Sequence, residues 1–166
     1  ARGLLVSTPG KVIIENCIFE SSGSAILIAG DANAWYESGA VKDVLIRNND
    51  FRYPCNSSNY QFCEAVISIV PEIPTLEQKF PYHRNIRITG NTFHLFDYPI
   101  LFARSVDGLA FSGNTLIRDT TYQPCHYRKE GITLEACKSV VISNNKIIGN
   151  VLGKTVKFEK MKSSDI

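Results

Sequence analysis

The sequence predicts an all-β fold, a right-handed parallel β-helix with three sheets per coil and about five coils. Three observations carry this expectation. Residues 12–19 (VIIENCIF), 44–51 (VLIRNNDF), 86–93 (IRITGNTF), 109–116 (LAFSGNTL) and 140–147 (VVISNNKI) repeat one pattern, a strand that turns at Asn-Asn, Gly-Asn or Asn-Cys and returns to an apolar residue. A third apolar strand recurs between copies, at residues 4–7, 25–29, 66–70, 100–103 and 132–135, which unrelated hairpins would lack. No segment sustains a 3.6-residue apolar period, so helix is minimal.

Each coil then reads strand, Asn turn, strand, variable loop, strand, variable loop. Aligned on the second turn residue, the copies place Cys17, Asn49, Asn91, Asn114 and Asn145 above one another. Asn there tolerates a left-handed backbone and can bond its equivalents in neighbouring coils, and Cys17 is expected to pack in the same stack. In the third strands the inward pairs align as Ile26/Ile28, Ile67/Ile69, Ile100/Phe102 and Ile132/Leu134. Counting three residues on from each pair gives Asp31, Glu72, Ser105 and Cys137 at one lip. The abrupt start at Gly3-Leu4-Leu5-Val6-Ser7 leads us to expect that residues 1–166 are a single β-helix segment from the later part of a longer β-helix enzyme.

Composition removes several function classes. The chain has 166 residues, 44% of them hydrophobic, enough for one sizeable core. Its 18 basic and 16 acidic residues are well mixed, for a net charge of +2, which gives no stripe for nucleic acid. No apolar run reaches the roughly 18 residues of a membrane span, so neither nucleic acid nor membrane is an expected partner. Cys17, Cys55, Cys63, Cys125 and Cys137 are odd in number and lack Cys-x-x-Cys spacing; Cys55 and Cys63 bracket one loop, as a disulfide or as free thiols.

Loop lengths point to the functional face. The passages 49–66 and 114–132, and on the other side 31–43 and 71–85, are long, whereas 105–108 is tight. Both long sets flank the third strand, so that sheet is the expected floor of a cleft. Asp31 and Glu72, one coil apart, are candidate acid and base for glycosidic hydrolysis, and Glu37 is a second candidate partner for Asp31. The competing reading makes Asp31 the initiator of a Gly30-Asp31-Ala32-Asn33 turn and Glu72 a solvated loop residue. Trp35 and Tyr36, with Tyr53, Tyr60, Phe62, Phe80, Tyr82, His83, Tyr122 and Tyr127, supply rings that can stack on sugars or anchor loops. Arg104 and Asp107 either pair across the tight turn or aim at substrate. For His94 and Asp97 structural hydrogen bonding is the leading expectation. His83 and His126 lack neighbours at metal spacing, so no metal site is expected.

Four stretches, 30–41 (GDANAWYESGAV), 44–49 (VLIRNN), 65–74 (AVISIVPEIP) and 100–108 (ILFARSVDG), resemble the β-helix of glycoside hydrolase family 110. The resemblance implies an exo-acting, inverting α-galactosidase that removes terminal α-1,3-linked galactose from a glycan or oligosaccharide. It also implies a secreted or periplasmic bacterial enzyme, and no cofactor is expected. Members of that family are longer than this chain, so their acid and base lie either within it, at Asp31, Glu72 or Glu37, or upstream of Ala1. The isolated chain is then expected to be inactive, with Trp35, Tyr36, Arg104 and Asp107 as sugar-binding candidates. A polysaccharide lyase is the alternative on the same fold, but it needs a basic residue at the cleavage point and a cation site, which the mixed charge supports poorly. A non-enzymatic carbohydrate-binding or adhesion segment is the other alternative. Outward Ile13, Leu45 and Val141, beside Arg87 and Ala110, mark a sheet expected to meet a second copy or a missing domain.

Overall fold

The computed structural model describes residues 2–34, 36, 39–52, 55, 63–77 and 79–166. Strands succeed one another in threes. The first coil holds β1 (Leu4–Val6), β2 (Lys11–Glu15) and β3 (Ile18–Phe19), and the second β4 (Ile26–Ile28), β5 (Asp43–Arg47) and β6 (Asp50–Phe51). The third holds β7 (Ile67–Ile69), β8 (His83–Thr89) and β9 (Thr92–Leu95), and the fourth β10 (Leu101–Arg104), β11 (Val106–Ser112) and β12 (Thr115–Arg118). The fifth holds β13 (Ile132–Glu135), β14 (Lys138–Ser143) and β15 (Lys146–Ile148), and β16 (Val156–Glu159) opens another turn. Every third strand pairs in parallel, giving one sheet in the order β1-β4-β7-β10-β13-β16 and two five-stranded sheets, β2-β5-β8-β11-β14 and β3-β6-β9-β12-β15. The expected three-sheet parallel β-helix of about five coils is what forms.

The Asn turns build the ladder that the repeat implied. Asn91 Oδ1 accepts from the backbone N and the Nδ2 of Asn49, both at 3.0 Å, while Asn91 Nδ2 donates to Asn114 Oδ1 and to Ile46 O, also at 3.0 Å. The same bonding runs from Cys17 N through Asn49 to Asn145. One part of the expectation is corrected. Left-handed backbone falls one residue earlier, at Asn16 (φ 56°), Asn48 (54°), Gly90 (66°), Gly113 (64°) and Asn144 (56°). That position needs Asn or Gly because a side chain there clashes with the carbonyl, and it frees the second Asn to keep an ordinary backbone and bond up and down the stack. Cys17 has no amide to extend the ladder; it is exposed, and its Sγ donates to Glu15 O at 3.2 Å.

Inside, like stacks on like. Phe19, Phe51 and Phe93, each two places after a ladder residue, stack with centroids 5.1 and 4.6 Å apart, and Phe93 meets Phe111 at 5.8 Å. Ile26, Ile28, Ile67, Ile69 and Leu134 fill the core from the six-stranded sheet with no exposed surface. Its register corrects the sequence alignment in the fourth coil: Leu101 and Ala103, not Ile100 and Phe102, stand beside Ile67/Ile69 and Ile132/Leu134. A run of four apolar residues satisfies a period of two in either frame, so composition alone leaves the phase open. Ser105 is therefore not the neighbour of Cys137; it and Ala136 turn the corner with φ of 56° and 49°. Cys55 and Cys63 are buried free thiols, which resolves the pair left open by their spacing.

Candidate functional site

The lip after β4 and β7 holds the two carboxylates that the spacing brought together. Asp31 and Glu72 form a parallel bridge, with Glu72 N donating to Gly30 O at 2.8 Å and Ala32 N to Glu72 O at 2.9 Å. They occupy one register position in adjacent coils, about 4.8 Å apart along the stack. Asp31 is also the turn initiator of the competing reading, since its Oδ1 accepts from Asn33 N at 2.7 Å and Ala34 N at 2.8 Å. Those bonds fix the orientation of the carboxyl while Glu72 stays half-buried. Tyr36 is 74% exposed; Trp35 and Glu37 lie outside the described residues.

Behind the lip, the loop from Glu72 returns to the stack at His83. Its ring is fully buried, and Nδ1 accepts from Val41 N at 3.1 Å, so the proton sits on Nε2. Nε2 has no hydrogen-bond partner among the described residues, and burial pushes the ring's pKa down to about 4. Tyr82 packs edge-on to this ring with centroids 4.9 Å apart, and its backbone N donates to buried Ser105 Oγ at 2.8 Å.

The outer face of the six-stranded sheet carries a second polar group that the alignment missed. Arg104 Nε donates to Glu135 Oε2 at 2.5 Å across the β10–β13 pair. Arg104 therefore does not pair with Asp107, which lies on β11 in a different sheet and accepts from Ser139 Oγ at 3.1 Å. Arg128 reaches in from the loop before β13, lies 4.6 Å over the Phe102 ring and donates to Glu64 Oε2 at 2.5 Å. Burial pushes the Glu64 carboxyl up, but hydrogen bonds from Tyr127 and Arg128 outweigh it and hold the carboxyl below its usual range. The one-residue slip hid this cluster: with Phe102 set beside Leu134, Arg104 falls opposite Ala136 instead of Glu135.

The remaining sequence candidates hold the structure together. His94 Nε2 lies 3.2 Å from Asp50. Asp97 accepts from Tyr98 N at 2.8 Å, Cys125 N at 2.7 Å and His126 N at 2.8 Å, anchoring the long fourth loop. Asp107 also lines a groove of about 570 Å³ with Lys79, Phe80, Arg84 and Asn85, outside the β8–β11 pair. Neither Asp31 nor Glu72 lines this groove.

Comparison with known proteins sets these features in a lineage. The chain is 88% identical over all 166 residues to alpha-1,3-galactosidase B of Bacteroides thetaiotaomicron, covering 100% of this chain and 27% of that protein. It is 44% identical to alpha-1,3-galactosidase A of Bacteroides fragilis over 99% of this chain and 27% of that protein. With alpha-1,3-galactosidase B of Akkermansia muciniphila it shares 44% identity over 89% of this chain and 18% of that protein. The chain thus spans about a quarter of the length of the curated relatives first matched. The family model described as "Right handed beta helix region" matches residues 2–162, and with three parallel sheets wound through that same stretch, the chain belongs to the right-handed β-helix family.

Proposed function

We propose that this chain is the β-helical part of a glycoside hydrolase that removes terminal α-1,3-linked galactose from glycans with inversion. The observation that carries the reading is 88% identity across every residue to an alpha-1,3-galactosidase. Asp31 and Glu72 are the acid–base candidates within the chain, supported by their bridge at one lip. Adjacent strands alone bring the two backbones closer than the about 6.5–9.5 Å between carboxyls that inversion requires, so divergence of the side chains must supply the remainder. Glu37 is a further acid–base candidate as a partner for Asp31, and Trp35, Tyr36, Arg104 and Asp107 are candidates to hold the sugar. The exposed apolar residues Ile13 and Val141 suit a contact with a further domain or a second copy. A secreted or periplasmic location accompanies the reading.

The test is release of galactose from a disaccharide ending in α-1,3-linked galactose, by a protein carrying this chain at the length of its relatives. Proton NMR should show β-galactose as the first product, and the isolated 166-residue chain should show no turnover. In the longer protein, Asp31→Asn should lower kcat by about 100-fold or more with little change in melting. Wild-type turnover in that variant removes Asp31 from catalysis, and absence of galactose release by the unmodified protein removes the reading itself.

A further inference from the structure

Gly30 is the residue before Asp31, and the place where its side chain would stand is taken. A Cβ there would lie 2.9 Å from Tyr82 Cε1, closer than real Cβ atoms stand, and a tight 3.0 Å from the Tyr82 hydroxyl oxygen. Gly30 has no left-handed backbone to require glycine; the requirement is room for this phenol. The Tyr82 backbone N donates to Ser105 Oγ and its ring lies in T-shaped contact with His83, both partner residues fully buried.

The far end of the ring is different. Tyr82 is only partly buried, and its hydroxyl makes no hydrogen bond among the described residues. Burial and the Asp31 charge both push the phenol's pKa upward, which keeps it a protonated donor throughout the neutral range. An aromatic ring seated against Gly30 next to Asp31, with its hydroxyl unengaged among the described residues, is arranged to donate to a ligand and to offer an apolar edge to a sugar.

We propose that Tyr82 is a sugar-binding residue of the Asp31–Glu72 lip, its hydroxyl donating to a galactoside hydroxyl and Gly30 holding open the space that seats the ring. This inference rests on the α-galactosidase reading and assigns a residue that the aromatic inventory of the loops did not separate from loop anchors.

The experiment uses the protein at the length of its relatives, with methyl α-galactoside as calorimetric probe and p-nitrophenyl α-galactoside as substrate. Tyr82→Phe retains the ring and its packing, so melting should be unchanged. Kd for the methyl galactoside and KM should each rise about five- to tenfold, the worth of one lost neutral hydrogen bond, with kcat within about twofold. Gly30→Ala should weaken binding at least as much by displacing the ring. Wild-type Kd and KM in Tyr82→Phe overturn the inference, as does weakened binding in Gly30→Ala alone. Asp31→Asn and Glu72→Gln separate the two claims: if both retain full turnover while Tyr82→Phe binds weakly, the acid–base assignment fails and the Tyr82 assignment stands. If they lose turnover while Tyr82→Phe binds normally, the reverse holds.

Discussion

Two corners of the same coil solve opposite problems. At the Asn corner each coil contributes Asn or Gly and then, in all but the first, Asn, so like groups bond one another and the backbone repeats with φ near 54–66° at every turn. At the lip after the third strand each coil contributes something different: Asp31, then Glu72, then the tight turn at Ser105. Repetition at the first corner buries polar groups without leaving partners short. Variation at the second brings unlike groups into one register, the condition for chemistry. A β-helix thus separates stability from function by corner rather than by domain.

The sharpest way to break this comparison is to remove one rung. Asn91 is 1% exposed and bonds the coils above and below. Asn91→Ala strands Asn49 N–H and Ile46 O in the interior, at about 1–3 kcal/mol for each unmet group. We expect a loss of about 3–5 kcal/mol in urea unfolding. Asp31→Asn at the lip keeps an oxygen for Asn33 N and Ala34 N, so its cost should stay below about 1 kcal/mol. Equal losses in the two variants would show that the lip, too, is built for stability.

The second test uses pH, which should reach the lip and not the ladder. His83 is buried and neutral with its pKa near 4, whereas an unfolded histidine titrates near 6.5. Between those values the unfolded chain takes up a proton that the folded chain refuses. Stability is therefore independent of this group above about pH 6.5 and is lost as pH falls toward 4, by about 1.4 kcal/mol per pH unit. His83→Gln should flatten that slope relative to the unmodified chain in paired urea titrations at pH 7 and pH 4.5. Parallel slopes in the two proteins would show that the buried ring takes up its proton in the fold.

How legible each corner is follows from the same contrast. The five Asn turns could be read because one residue type must recur wherever one bond recurs. The Asp31–Glu72 bridge was legible because setting Ile26/Ile28 beside Ile67/Ile69 gives the register that the β4–β7 pair adopts. One coil further on, the run Ile100-Leu101-Phe102-Ala103 allows two phases, and the wrong one moved Arg104 away from Glu135. Glu64, Tyr127 and Arg128 were not legible at all, because 63 residues of chain separate Glu64 from Tyr127 and no periodicity relates the loops that carry them. Tyr82 fell between these cases: its presence near the lip was visible, but its seat on Gly30 depends on backbone approach.

The smallest expected effect discriminates between two reasons for a residue at the Asn corner. Gly90 sits at φ 66°, where a Cβ costs about 1–2 kcal/mol, and there it would also stand 3.0 Å from Asn48 Oδ1. Gly90→Ala should therefore destabilise by about 1–2 kcal/mol. Asn48 has the same left-handed backbone at φ 54°, and its side chain is exposed. Asn48→Gly should stay within about 0.5 kcal/mol of the parent, because relief of the left-handed strain offsets the greater freedom of the unfolded chain. If Asn48→Gly costs as much as Gly90→Ala, the first turn residue is selected for a bond made by its side chain, and the division of labour between the two turn positions fails. If only Gly90→Ala is costly, the first position sets the backbone and the second carries the ladder, which is why Asn-Asn and Gly-Asn serve interchangeably along this stack.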